Sequence, residues 1–209
     1  MDKRTMRTPS HRPMGVALSV LALAVGLACG GKVPPTFYYV LNLPSPTTAA
    51  EVLDHTAVLM PIRAGRVVSQ GRIVYRESPE QVGFYEYHRW AEDPPQSVGR
   101  SLLRHVRARG TFASVVPFDG RTRADFILRG ELSRLEEVDH GGSVRAEVEL
   151  YLELVDSDTA RVVWSSSATE RGAVTESAVR SVVAGMSAAA NKAISRLAGQ
   201  LDNHLRLSG

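Results

Sequence analysis

The sequence predicts an α+β fold in which a mainly antiparallel sheet carries two helices packed on one face. The clearest strand covers residues 144–154, where apolar and charged residues alternate as in a strand with one buried face. The clearest helix covers residues 175–205, where apolar residues return with a period of about 3.6. An apolar helix stripe and an apolar sheet face bury each other, so the helices are expected to pack on the sheet. The predicted order of elements along the chain is ββββ-α-ββββ-α.

Four strands are predicted before the first helix, from runs of aromatic and β-branched residues. They cover residues 37–41, 58–62, 72–75 and 82–90. Pro61 places the second strand at an edge or a bend, since proline cannot donate a ladder hydrogen bond. Regular alternation in the fourth strand predicts two opposite faces. One face holds Phe84, Glu86, His88 and Trp90, and the other holds Tyr85, Tyr87 and Arg89.

The first helix is predicted to begin at Asp93, a possible cap, to carry Pro94 in its first turn, and to end at Gly110. The strands that follow cover residues 114–118, 125–132, 144–154 and 161–169, and the last two form a hairpin. The last helix is interpreted as packing on the sheet, with partner binding as the alternative. Several acidic residues are interpreted as turn and edge-strand residues. They are Asp119, Asp125, Glu136, Glu137 and Asp139.

The N-terminus has the three zones of a bacterial export signal. Basic residues at 3, 4, 7 and 12 precede an apolar stretch at 14–28, and the single cysteine of the chain, Cys29, follows. The stretch has about 15 residues, fewer than the roughly 20 that a transmembrane helix needs. A cysteine at this position is where a lipoprotein signal is acylated, so Cys29 is the predicted lipid attachment site. Ordinary signal peptidase cleavage, for which residues 26–28 or 22–24 would serve, is the alternative.

The predicted organisation therefore has three parts. Residues 1–28 are a lipoprotein signal peptide, 29–36 are the acylated cysteine with a short linker, and 37–209 are a single periplasmic α+β domain. The linker residues 30–36 reach about 25 Å when fully extended, at roughly 3.3–3.6 Å per residue. A domain on so short a linker stays close to its membrane.

Charge excludes one class of partner. The chain has 25 basic and 22 acidic residues, of which four basic and one acidic precede Cys29, so 21 of each remain and the mature net charge is zero. The basic balance belongs to the leader, and nucleic acid is therefore not an expected partner.

The sequence offers no recognisable catalytic set. It has no nucleophile-elbow, zinc-protease or phosphate-loop motif, so no catalytic residue, cofactor or metal ligand is predicted. Glu86 and His88 would share a strand face, but no third ligand accompanies them, and they are interpreted as a solvated or structural pair.

Three segments carry a resemblance to a known family. They are Phe-Tyr-Tyr-Val-Leu at 37–41, Ile-Val-Tyr-Arg at 73–76, and the aromatic run at 82–92 that leads to two prolines at 94 and 95. In these segments the chain resembles the ABC-type transport auxiliary lipoprotein family. Asp93, inserted before the two prolines, departs from the family pattern.

The resemblance implies a lipoprotein on the periplasmic face of the outer membrane. It implies as partners an MCE-domain periplasmic protein with its ABC permease and ATPase, which move lipids across the envelope. Gly30 carries no inner-membrane retention signal, which in other Gram-negative lipoproteins is an aspartate at this position. A homo-oligomer is left open.

The favoured hypothesis is a non-enzymatic lipoprotein that docks the periplasmic part of the transporter. Its predicted partner-binding residues are Tyr85, Tyr87, Arg89 and Trp90, because aromatic and arginine side chains dominate interface energies. Trp90 lies on the opposite predicted strand face from the tyrosines and is the expected core residue of the set. The alternative is a ligand-binding lipoprotein that recognises lipid or cell-wall material on the face with Tyr85 and Tyr87. An envelope hydrolase is a distant third.

Overall fold

The computed structural model describes residues 34–47 and 51–208. Within them the chain forms nine strands and two α-helices. The predicted signal peptide, the lipid attachment site Cys29 and Gly30 lie outside the described residues. Among the described residues, neither helix combines the length and the apolar character that crossing a membrane requires.

The elements follow the predicted order closely. The strands are β1 (Phe37–Tyr39), β2 (Thr56–Leu59), β3 (Arg63–Ala64), β4 (Arg72–Arg76), β5 (Val82–Trp90), β6 (Ser114–Pro117), β7 (Phe126–Asp139), β8 (Val144–Asp156) and β9 (Val162–Ala173). The helices are α1 (Pro94–Ala108) and α2 (Val179–Ser208). The two-residue β3, and a short 3-10 turn at Val68–Gln70, are additions to the predicted elements.

Strand β7 organises the sheet. Its 14 residues pair along one side with β8, which in turn pairs with β9. Along its other side β7 pairs in succession with β2, β3 and β4. Strand β6 pairs with the other edge of β2, strand β5 pairs with the other edge of β4, and β1 pairs with β5. The edges of the sheet are therefore β1, β6 and β9.

The α+β class is confirmed, but the sheet is mixed. The contacts of β2, β3 and β4 with β7 are parallel, as are β1 with β5 and β2 with β6. The pairs β4–β5, β7–β8 and β8–β9 are antiparallel. Parallel neighbours are far apart along the chain, as in Ala57 beside Phe126, so local patterns could not predict them.

Helix α2 closes the core over β8 and β9. Alternate side chains of β8, from Ala146 to Leu154, are fully buried, and so are Met186, Ile194 and Leu197 of α2. The helix comes so close to β9 that a Cβ on Gly172 would lie 1.9 Å from the carbonyl oxygen of Gly185. Helix α1 packs on α2 and on β6 and completes the same core.

Helix α1 begins at the predicted residue, but its first turn is bound differently from the prediction. Asp93 occupies the N-cap position and its carbonyl oxygen accepts hydrogen bonds from the backbone N–H groups of Gln96 and Ser97, but its side chain makes no capping hydrogen bond. Glu92 binds the first turn instead, since its carboxylate accepts a hydrogen bond from the Ser97 hydroxyl at 2.7 Å and forms an ion pair with Arg100. Pro94 occupies the first turn as predicted.

Strand β7 is longer than predicted, because it continues through the acidic residues. Glu136 and Glu137 are 2% and 6% exposed, so their assignment to turns or an edge strand is wrong. Arg76 of β4 donates two hydrogen bonds to the carboxylate of Glu136, at 2.7 and 3.0 Å, which compensates for its burial. Asp119 does lie in a turn, where it accepts hydrogen bonds from the backbone N–H groups of Arg121 and Thr122.

The sheet face opposite the helices carries an ion-pair network around Glu147 of β8. Arg134, Arg171 and Arg145 lie 2.9, 3.3 and 3.7 Å from its carboxylate oxygens. These cations come from β7, β9 and β8, so the network links three adjacent strands. Glu147, on the charged face of β8, is thus paired with arginines of both neighbouring strands.

Candidate partner-binding surface

The predicted partner-binding residues occupy three different environments on β5. Trp90 is buried in the hydrophobic core with 8% of its surface exposed. Tyr85 is half-buried against the same core, with its hydroxyl engaged in a hydrogen bond. Tyr87 and Arg89 are partly exposed. The structure therefore leaves Tyr87 and Arg89 as the members of the set with side chains available to another molecule.

Trp90 is fixed by its position between two strands. Its backbone N–H donates a hydrogen bond to the carbonyl oxygen of Gly71 at 3.0 Å, and its Cα lies beside that of Tyr39 in the pairing with β1. Tyr39 also packs on the core, so the two aromatic residues cover the same end of it. A substitution of Trp90 therefore tests folding before it tests binding.

A bulge in β5 breaks the alternation that the sequence predicted. Arg72 of β4 pairs with Arg89, while Val74 pairs with Phe84, so β5 has three more residues than β4 between these pairs. Tyr85 and His88 consequently lie on the same side, with their ring centroids 5.6 Å apart. Their assignment to opposite faces was wrong, because strict alternation holds only in an unbulged strand.

The bulge gathers aromatic rings into one cluster. We call Phe37, Tyr39, Tyr75, Tyr85 and His88 the aromatic cluster. His88 stacks on Phe37 with centroids 5.3 Å apart, and its Nδ1 lies 2.9 Å from the hydroxyl oxygen of Tyr39. Tyr75 meets Tyr85 edge to face at 5.1 Å. His88 thus has a structural role here, and Glu86 beside it is exposed.

Gly83 allows one ring of this cluster to lie across β5. A Cβ at this position would lie 2.2 Å from the ring of Tyr75, far inside van der Waals contact. The glycine in the otherwise aromatic run is therefore required by the close approach of a side chain from β4.

Tyr85 binds a buried carboxylate. Its hydroxyl donates a hydrogen bond to Oε2 of Glu137 at 2.7 Å. Burial raises the pKa of Glu137, and the nearby Asp139 raises it further. Burial and this hydrogen bond also raise the pKa of Tyr85, so the hydroxyl remains a donor at neutral pH. The sequence did not predict this pair, because its members are far apart along the chain.

Tyr87 and Arg89 point away from this arrangement. Partial burial and the neighbouring carboxylate of Glu86 raise the pKa of Tyr87. The hydroxyl of Tyr87 and the guanidinium of Arg89 are both donors, beside an aromatic surface. Such a surface fits a protein partner with apolar and acceptor groups.

Sequence reasoning missed the exposed residues of the first strand. Phe37, Tyr38 and Val40 are 50%, 64% and 57% exposed, although their run was interpreted only as a strand. The available signal was three consecutive aromatic residues, because a strand can bury only alternate side chains in one core. They lie beside β5 and extend its exposed surface toward the linker.

A groove and a cavity lie elsewhere in the described residues. An apolar groove of about 390 Å³ lies between α1 and the ends of β2 and β6, with Met60, Leu103 and Phe118 in its wall. A more polar cavity of about 380 Å³ lies between the two helices and contains His105 and Asp202. In the part of the chain that the structure describes, no three His, Cys, Asp or Glu side chains are placed to hold a metal ion.

The bulged β5, helix α1 and most of helix α2 lie within a match to one family. The family model for the ABC-type transport auxiliary lipoprotein component matches residues 39–201. The chain belongs to this family. Membership makes it an auxiliary lipoprotein of an ABC-type transporter in the cell envelope, and the resemblance seen in the sequence is confirmed.

Solved structures show that the fold of this family member recurs. Protein XCC0632 from Xanthomonas campestris superposes with a TM-score of 0.74 at 21% identity, covering 83% of this chain and 98% of that one. An uncharacterized protein superposes with a TM-score of 0.59 at 13% identity, covering 80% and 99%. The hypothetical protein CT253 from Chlamydia trachomatis gives 0.50 at 7% identity, covering 73% and 98%. At such identities these likenesses show the fold alone. No curated protein matches the chain significantly.

Proposed function

We propose that this auxiliary lipoprotein docks the periplasmic part of an ABC-type lipid transporter at the outer membrane. The proposed partner is an MCE-domain protein that works with the permease and the ATPase. The observation that supports this role is the partly exposed pair Tyr87 and Arg89 of β5, which lies beside the exposed aromatic residues of β1. The proposed role is non-enzymatic, in keeping with a family defined as an auxiliary component.

The docking surface that we propose contains fewer residues than the set predicted from the sequence. Tyr87 and Arg89 contact the partner, whereas Tyr85 and Trp90 support the strand from inside. Tyr85 does so through Glu137, and Trp90 does so through the core. Interface aromatic and arginine residues typically contribute about 2 kcal/mol or more when they form a binding hot spot.

Co-purification tests this division of roles. We expect Tyr87→Ala and Arg89→Gln to lose the MCE-domain protein from detergent extracts while their melting temperatures stay within about 2–4 °C of the unsubstituted chain. Thr169→Ala, at an exposed position of β9, is the matched surface control and should retain the partner. If both β5 variants melt normally and still retain the partner, the docking surface lies elsewhere.

The anchor is proposed at Cys29. Cys29→Ser should abolish lipid labelling and release the folded domain into the soluble periplasmic fraction, because stable anchoring requires more than one acyl chain. Gly30→Asp is the sorting variant, which should move the lipidated chain from outer- to inner-membrane fractions on a density gradient. A Cys29→Ser chain that still sediments with membranes in cells lacking the transporter contradicts this anchor.

A further inference from the structure

A row of three side chains crosses the sheet at the end that is joined to the linker. Tyr38 of β1 lies beside Arg89 of β5 in the parallel pairing, and Arg89 lies directly opposite Arg72 of β4 in the antiparallel pairing. We call these three residues the Tyr38–Arg89–Arg72 row. Directly paired residues point to the same face of a sheet, so the three side chains are neighbours.

The row lies on the face opposite the core. The next residues along each strand are Tyr39, Trp90 and Ile73, and all three pack in or against the core. Successive side chains in a strand point to opposite faces, so Tyr38, Arg89 and Arg72 point away from the helices. Tyr38 is 64% exposed, and both arginines are partly exposed.

The charge of the row is not balanced within the described residues. Neither Arg72 nor Arg89 has a carboxylate oxygen of those residues within 4.0 Å. Like charges directly opposite each other on paired strands disfavour the pairing. Elsewhere on this face, Arg134 and Arg171 are paired with Glu147. The two arginines of the row are therefore available to an anion from another molecule.

The row lies close along the chain to the proposed anchor at Cys29. Tyr38 is nine residues after Cys29, a distance of at most about 32 Å when the chain is fully extended at roughly 3.6 Å per residue. Val40, two residues after Tyr38, is 57% exposed. Exposed aromatic and arginine side chains together are typical of surfaces that lie in the headgroup region of a bilayer.

We propose that the Tyr38–Arg89–Arg72 row binds the phosphate groups of anionic lipid headgroups in the membrane that holds the anchor of the chain. The two guanidinium groups bind phosphate oxygens, and Tyr38 lies among the headgroups with its hydroxyl toward water. The contact orients the domain, with the β1 edge against the membrane and the β9 edge away from it. This inference rests on the proposed anchor at Cys29. Arg89 lies at the border between this contact and the proposed docking surface.

The depth of a spin label tests the contact with the full lipidated chain. Acylated Cys29 has no free thiol, so Val40→Cys provides one labelling position, and Val163→Cys on β9 provides the matched control at 42% exposure. The chain is reconstituted in vesicles of phosphatidylethanolamine and phosphatidylglycerol. We expect the label at position 40 to be accessible to membrane-dissolved oxygen and at least threefold less accessible to an aqueous nickel reagent than the label at position 163.

The arginines are tested on the same labelled chain. Arg72→Gln together with Arg89→Gln should return the label at position 40 to the aqueous accessibility of position 163, and so should vesicles of phosphatidylcholine alone. A label at position 40 that stays aqueous in the anionic vesicles overturns the proposal, and this is the result that an acidic protein partner for the row would give. A label unaffected by the double substitution also overturns it.

Flotation of the vesicles separates this proposal from the one on which it rests. Chains that float with the vesicles but keep position 40 in water contradict the lipid contact and leave the anchor standing. Chains that do not float contradict the anchor at Cys29, and the lipid contact falls with it. Arg72→Gln alone should weaken the lipid contact while the MCE-domain protein still co-purifies, because Arg72 is outside the proposed docking surface.

Discussion

Strands β8 and β5 belong to the same sheet but are built differently. The core-facing residues of β8 from Ala146 to Leu154 are at most 1% exposed, and its strand alternates without interruption beneath α2. In β5 only Trp90 is buried, and a bulge of three residues interrupts the pairing with β4. The core face of β8 is closed by α2, whereas β5 presents partly exposed side chains to its surroundings.

The same contrast holds for the charges. Around Glu147 of β8, three arginines lie within ion-pair distance of one carboxylate, so this part of the polar face carries ion pairs within the chain. At the other end of the sheet, Arg72 and Arg89 face each other without a carboxylate partner among the described residues. Together the two contrasts indicate that the β7–β8–β9 half stabilises the fold, and that the β1–β5–β4 end carries the groups that are available for binding.

The largest predicted effect is at the contact between β9 and α2. Gly172→Val should prevent cooperative folding or lower the free energy of unfolding by more than about 4 kcal/mol, because the side chain would collide with the backbone of Gly185. Thermal unfolding followed by circular dichroism measures the effect. Gly199→Ala within α2 is the control, since its Cβ would lie 3.5 Å from Arg109, and it should be neutral or stabilising. A Gly172→Val chain with an unchanged melting curve would show that the helix does not lie against this strand.

The second prediction compares two aromatic residues at the β1–β5 end. Trp90→Ala should lower the free energy of unfolding by about 3–5 kcal/mol, because it leaves a cavity in the core. Tyr38→Ala, at a 64% exposed position, should change it by less than about 0.5 kcal/mol. Urea unfolding of the two variants is the measurement. Equal losses in both would mean that the two residues share one environment, contrary to the distinction between core and binding surface.

The local patterns predicted much of this fold. Strand β8 and helix α2 were predicted within a few residues, since each buries one face along its whole length and shows that period in the sequence. Strand β7 was predicted to end at Leu132, and the acidic residues beyond it were assigned to turns and an edge strand. It continues to Asp139, since Arg76 binds Glu136 and Tyr85 binds Glu137 from strands about 50–60 positions away. Such partners, like the parallel pairings, are absent from any local window.

The candidate site was predicted only in part, because some of its features also depend on pairing between segments that are distant along the chain. An aromatic and arginine-rich strand indicated a binding region, and the expectation that Trp90 is its core residue agrees with the structure. The alternation that assigned Tyr85 and His88 to opposite faces could not anticipate the bulge, which depends on the pairing with β4. The exposed Tyr38 was overlooked because it was considered only as part of a strand.

The third prediction concerns the pair that links β5 to the stable half. Tyr85→Phe should lower the free energy of unfolding by about 1–3 kcal/mol, because Glu137 then loses its donor while it stays buried. Melting at neutral pH measures this loss. An unchanged melting temperature would mean that water replaces the hydroxyl at no cost, and that the pair does not link the two regions.

The pH dependence of Glu137 gives the smallest predicted effect. Burial raises the pKa of Glu137 in the folded state above the ordinary value of 4.5, so its protonated form stabilises the fold below that pH. This stabilisation is lost as the pH rises through the folded-state pKa. Glu137→Gln stays neutral and still accepts the Tyr85 hydrogen bond, so it should raise the melting temperature at pH 7 and leave it nearly unchanged at pH 4. A difference in melting temperature between Glu137→Gln and the unsubstituted chain that grows toward acidic pH contradicts a raised pKa of Glu137.

The most direct test of the account is a photo-crosslink from β5 in living cells. A benzoylphenylalanine residue in place of Tyr87 is compared with one in place of Ser167, at an exposed position of β9. We expect a crosslinked band from position 87 that contains the MCE-domain protein, and no such band from position 167. A partner band from position 167 with none from position 87 would contradict the central claim that the β1–β5–β4 end is the docking end of the molecule.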